Sequence, residues 1–209
     1  MTIKAANYAL ANMRDATRAY KSIKYYDSPS LALETEKIEI PYQPLISYEE
    51  AKEKLEELVD TTNLVGRPKK AAAKYRAVMD IYEKNLPTEI ALQYDATVIS
   101  FGRIAFVSFP FEVFSEISIR IATHSPFEHT LTLNNTNGAL AYFPTKSEIP
   151  RGGYEVFMFR HFNTYIPIDD ADTVAVKQYV KALEKIKDKK QRLKACKQED
   201  FARFLYKNK

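Results

Sequence analysis

Cysteine occurs once in these 209 residues, at Cys196, which excludes an intrachain disulfide framework and any multi-cysteine zinc site and leaves the redox compartment open. Its expected role is that of an ordinary residue on a C-terminal helix. Five glycines argue against a phosphate-cradling nucleotide fold, which needs several together. Three histidines are present, His124, His129 and His161, and none stands in a metal-binding spacing such as H-E-x-x-H. His124 and His129 flank a proline-containing turn and suit surface or packing roles. No apolar run reaches membrane-spanning length, and the N-terminus lacks the basic, apolar, small-residue order of a secretion signal. That N-terminus, MTIKAANYALANM, reads as the interior of a helix, from which we expect the chain to be a piece of a longer protein. There is no internal repeat and no low-complexity block.

What is present suits a folded domain. With 45% hydrophobic residues, the chain is long enough for one well-buried globular domain or two small ones. The net charge of +4 is uneven: eleven Lys and Arg stand against four Asp and Glu from Lys181 to Lys209, and 20 against 23 before that. A basic helical tail can touch nucleic acid or an anionic membrane. The commoner meaning is a solvated face, and no nucleic-acid partner is expected.

Residues 4 to about 22 have a helix-compatible mixture, ending near Tyr25-Tyr26-Asp27-Ser28-Pro29. Leu31 to Ile40 alternates as a half-exposed strand does and is stopped by Pro41 and Pro44. Ser47 followed by Glu50 is a capping box, with Ala51, Leu55, Leu58 and Val59 at helical spacing behind it. After a turn at Asn63 to Gly66, Pro68 suits the first position of another helix, whose apolar stripe is Ala71, Tyr75, Val78 and Tyr82. From Glu89 the period changes to two, with Ile90, Leu92, Tyr94, Ala96 and Val98 on one side. Gly102 then turns the chain into a buried strand, Ile104 to Phe109.

Pro110 ends that strand, and the spacing predicts a helix over Glu112 to Thr123. Val113, Ile117 and Ile121 form its buried stripe, with Glu112, Glu116 and Arg120 on another side. Glu112 thus falls at a strand-to-helix junction, where crevices at strand ends collect functional groups, or where a carboxylate simply complements the helix dipole. Thr130 to Leu133 is strand-like and runs into the polar cluster Asn134 to Gly138. Tyr142 follows in a loop, and Tyr154, beside two glycines, suits a strand after a flexible turn. Asp172 to Lys187 carries Val176, Tyr179, Val180 and Leu183 at helical spacing. A last helix, about 190 to 206, buries Leu193, Phe201, Phe204 and Leu205 weakly.

Three segments, in order, resemble the C-terminal half of the neutral/alkaline (non-lysosomal) ceramidase family: Ser108-Phe109-Pro110-Phe111-Glu112, the loop Asn137 to Thr145, and Arg151-Gly152-Gly153-Tyr154-Glu155. Ser125-Pro126-Phe127 and IEIPYQP at 38 to 44 look like family punctuation. The resemblance covers most of residues 5 to 160, with its specific part at 108 to 155. It implies that Glu112 and Tyr142 are zinc ligands and that Tyr154 stabilises the reacting amide oxygen. Phe111 stands where the family has a glycine and is expected to crowd approach to the site. Ala139 replaces the first loop tyrosine.

The expected fold is mixed α/β, a central β-sheet with packed helices. Residues 1–170 would form the ceramidase-like portion and 171–209 a C-terminal helical segment packed on it or extending from it. The function implied is that of a portion of a zinc-dependent amidohydrolase acting on ceramide-like N-acyl lipids. It is incomplete because the histidine-bearing N-terminal half has no counterpart here and would come from a partner chain. The alternative is a catalytically silent binding or scaffolding module on the same fold. Apolar edges left by a missing half would favour a homo-oligomer.

Overall fold

A computed structural model describes the backbone of residues 3–24, 29–58, 66–161 and 164–207, and the side chains within those ranges except 3–5, 67 and 190–207. The chain divides into two compact units, Met1–Ser30 and Leu31–Lys209. The first contains helix α1 (Ile3–Lys21), whose Tyr8, Leu10, Met13 and Tyr20 are exposed.

The second unit is mixed α/β, as its alternating periods predict. Strands β1 (Leu31–Pro41), β2 (Ala91–Phe101), β3 (Ile104–Ser108) and β5 (His129–Leu133) form one sheet in the order β1-β2-β3-β5. The first two junctions are antiparallel and β3 pairs with β5 in parallel. A two-stranded parallel sheet joins β4 (Glu112–Val113) to β6 (Tyr142–Phe143). The helices are α2 (Tyr48–Glu56), α3 (Gly66–Glu83), α4 (Ser115–His124), α5 (Tyr154–His161) and α6 (Ala171–Lys207).

Local sequence accounts for several boundaries. The Ser47 side chain accepts from the Glu50 amide at 3.0 Å, so the capping box starts α2 as expected. Gly102, at φ +61°, permits the tight turn between β2 and β3. Pro68 lies inside the first turn of α3 rather than at its start. The turn expected at Asn63 to Gly66 lies mostly outside the described residues, as does the end of the first helical segment at Tyr25 to Ser28.

Helices α4 and α6 pack on one face of the four-stranded sheet. Ile38, Ile40, Ala96, Val98, Ala105 and Val107 point to them and are buried against Ile117, Ile121, Tyr179, Leu183 and Ile186. Tyr179 ties the layers together: its ring stacks on Phe109 at 4.1 Å and its hydroxyl donates to the Ser108 carbonyl at 2.5 Å. At the margin of this face, Glu34 and Glu36 accept from Lys189 and Lys185, so part of the basic tail is engaged with the edge strand. Arg120 of α4 meets the buried Asp172 of α6 at 2.5 Å.

Four expectations change, the first at Tyr142, expected in a loop but paired as strand β6. The helix after Pro110 begins at Ser115, and Glu112 belongs to strand β4, because the backbone at 112–114 pairs with 141–143 instead of turning helical. Tyr154 opens helix α5 and is not a strand residue. The two C-terminal helices are one continuous helix whose first half enters the same core as the sheet. The side chains of Leu193, Cys196, Phe201, Phe204 and Leu205 lie outside the described residues. No helix among the described residues is long and apolar enough to cross a membrane.

Candidate functional site

Residues 109–114 and 134–143 form a double clasp beyond the C-terminal ends of the parallel pair. Thr136 N–H donates to the Phe109 carbonyl at 2.8 Å, Leu140 to Pro110 at 2.7 Å, Glu112 to Ala141 at 2.9 Å and Phe114 to Phe143 at 3.1 Å. The polar cluster makes this return possible: Asn135 and Asn137 adopt φ +50° and +64°, a region asparagine tolerates. At Gly138 the fit is tighter still, since a Cβ there would lie 2.9 Å from the Pro110 Cβ.

Glu112 and Tyr142 are direct partners in this clasp, as are Val113 and Phe143. Successive residues on a strand point to opposite sides, so one strand serves two purposes. Phe111, Val113 and Phe143 are buried, while Glu112 is exposed and Tyr142 half-buried. Phe111 therefore does not crowd the site. Its ring lies 5.5 Å from Tyr94 and 5.2 Å from Phe143, inside the core.

Tyr154 reaches the same place from α5. Gly152 and Gly153, at φ +67° and +97°, turn the chain into that helix, and the Tyr154 ring meets Tyr142 edge to face at 5.8 Å. The three residues singled out from sequence thus share one surface. The Glu112 carboxylate holds the Tyr142 phenol above its ordinary range, with partial desolvation, a hydrogen bond to the same carboxylate, Tyr154 and Glu155 acting in the same direction. Glu155, next to Tyr154 in the chain, is a second carboxylate close enough to act on the Tyr142 phenol.

The histidines stay apart from this cluster. His124 bonds the Arg120 carbonyl at 2.8 Å one turn back, and exposed His129 lies 3.5 Å from Glu128. His161 packs on Phe157 at 4.5 Å. Burial, together with Lys74 and Arg160, pushes His161 down to about 4. Lys74 is also buried, donates to the Arg160 carbonyl at 3.2 Å and is pushed down to about 8.

Zinc takes at least three protein ligands. Among the described residues, no group of three or more His, Cys, Asp and Glu side chains is disposed to hold a metal. Glu112 and Tyr142 are two adjacent oxygens already joined by a hydrogen bond, and by themselves they fall short of a zinc site. Neither the protein-family models nor the curated proteins searched include a match to this chain.

Proposed function

We propose that this chain carries one side of an amide-hydrolysing site for ceramide-like N-acyl lipids, the remaining zinc ligands coming from a histidine-bearing polypeptide outside it. The observation that carries the reading is the direct pairing of Glu112 with Tyr142 in the β4–β6 clasp, with Tyr154 against the same phenol. It agrees with the three roles implied by the family resemblance.

One of the chain's own groups suits amide chemistry directly. A phenol hydroxyl at Tyr154 can donate to an amide oxygen as it gains negative charge in the transition state. The Glu112 carboxylate accepts the Tyr142 hydroxyl proton and opposes ionisation of that phenol, so the two form a hydrogen-bonded oxygen pair beside Tyr154. A cation bound between carboxylate and phenol would reverse that effect, since opposite charge favours the ionised form.

The test follows the phenol. Zinc in large excess over the purified chain, so that even a two-ligand site is filled, is expected to lower the pH at which Tyr142 ionises, read from phenolate absorbance against a Tyr142→Phe control, and Glu112→Gln should abolish the response. If zinc leaves Tyr142 unchanged, the metal half-site is lost. The second reading, a catalytically silent binding module, then stands, favoured by the lack of a third ligand among the described residues.

A further inference from the structure

The face of the four-stranded sheet opposite α4 and α6 is apolar over one half. Register places Leu31 opposite Phe101 and Leu33 opposite Ile99. Ile99 in turn faces Phe106, and Phe106 faces Leu131. Directly paired residues share a face, so these side chains form one patch across all four strands. The helices that pack on the sheet, α4 and α6, lie on its other side. A parallel strand pair such as β3–β5 is ordinarily covered on both faces.

Size and charge both indicate what covers it. Leu31 is 66% exposed, Leu33 57%, Leu131 50%, Phe101 45% and Leu133 39%. At roughly 200 Å² for each fully exposed side chain of this size, the five present on the order of 500 Å². Ile99, Ile104 and Phe106, partly exposed, extend the patch. With its polar rim the face approaches the roughly 800 Å² per partner of a standard interface. The charges on the other half of the face are few and of both signs: Lys37 stands opposite Asp95, and Glu39 accepts from the neutral Gln93 at 3.2 Å. Nothing there selects an oppositely charged partner, and an identical face meets the requirement.

We propose that two copies of this chain pack through these faces into a symmetric dimer with helices outside and two sheets inside. A two-fold axis parallel to the strands sets β1 over the partner's β5 and keeps apolar half over apolar half. Aligned sheets about 10 Å apart are the usual solution for such surfaces. The proposal is independent of the amide-hydrolase reading, since none of its residues belongs to the Glu112 cluster.

The test is the mass of the full chain in solution by light scattering or sedimentation, beside a Leu33→Lys, Leu131→Lys double variant. In an isologous interface each substitution enters twice, so the wild type should have twice the mass of the variant, with the same circular dichroism. If lysine prevents folding, Leu33→Thr with Leu131→Thr keeps strand propensity and should also halve the mass. A wild type that remains monomeric at about 100 μM, near the concentration of a weak dimer, overturns the proposal. So does a dimer that survives a folded double variant, or a monomer that binds neutral phosphatidylcholine vesicles through Leu33 and Leu131.

Discussion

The covered and open faces of the main sheet are made by alternate residues of the same strands, yet they are different environments. On the covered side, Ile38, Val98 and Val107 meet Tyr179 and Leu183, and all five are buried. On the open side, Leu33, Phe101 and Leu131 are equally apolar and remain in contact with water. Hydrophobicity is thus shared between the two faces, and what separates them is whether another layer arrives. Burial of a side chain such as Leu183 already contributes about 2 kcal/mol or more to this chain's own stability, whereas Leu131 can contribute that only on association.

The sharpest way to break this contrast is Phe111→Gly. Were Phe111 a plug over the site, its removal would leave stability unchanged and open the surface. Because it packs between Tyr94 and Phe143, the expected loss is about 4 kcal/mol in urea unfolding, with no gain in zinc affinity. Leu183→Ala on the covered side should cost about 3 kcal/mol. Leu131→Ala, measured at a concentration low enough to keep the chain monomeric, should stay within about 0.5 kcal/mol. Equal losses at the two positions would show that something already covers the open face.

Lys74 gives a polar counterpart to these apolar changes. Its folded value, lowered to about 8, lies below its ordinary 10.5, so between those pH values the unfolded chain binds more protons than the folded one. Stability should therefore rise with pH across that window. Lys74→Met should flatten the slope and stabilise the protein at pH 7 by roughly 2 kcal/mol. Chemical denaturation at several pH values reads both effects. The smallest change is at the candidate site, where Glu112→Gln should bring the Tyr142 ionisation back toward that of an ordinary tyrosine, measured by spectrophotometric titration. An unchanged titration would remove the carboxylate as its main cause.

Much of the framework is legible in the sequence. Two-residue alternation in Leu31–Ile40 and around Tyr94–Val98 marked strands β1 and β2, Ser47 with Glu50 marked the start of α2, and Pro110 marked the end of β3. These signals are local, carried by backbone preference and period. The helical spacing of Glu112, Glu116 and Arg120 predicts a helix at Glu112, where the structure has strand β4. The actual partner of Glu112, Tyr142, is thirty positions away, and no local period encodes that pairing. Arg120 found its role the same way, against the buried Asp172 of another helix. Cys196 and the terminal aromatic residues remain outside the described side chains.

By itself, the order of apolar, polar and turn-forming residues determined that this is a mixed α/β chain and which short segments carry the candidate side chains. Tertiary structure alone decided which side of each strand became core, that Phe111 turns inward while Glu112 turns outward, and that Glu112, Tyr142 and Tyr154 meet on one surface. The physical reason is the range of the interactions. Helix caps, turns and strand periods depend on neighbours within a few residues, whereas burial and the field around a phenol depend on whatever the fold brings from far along the chain.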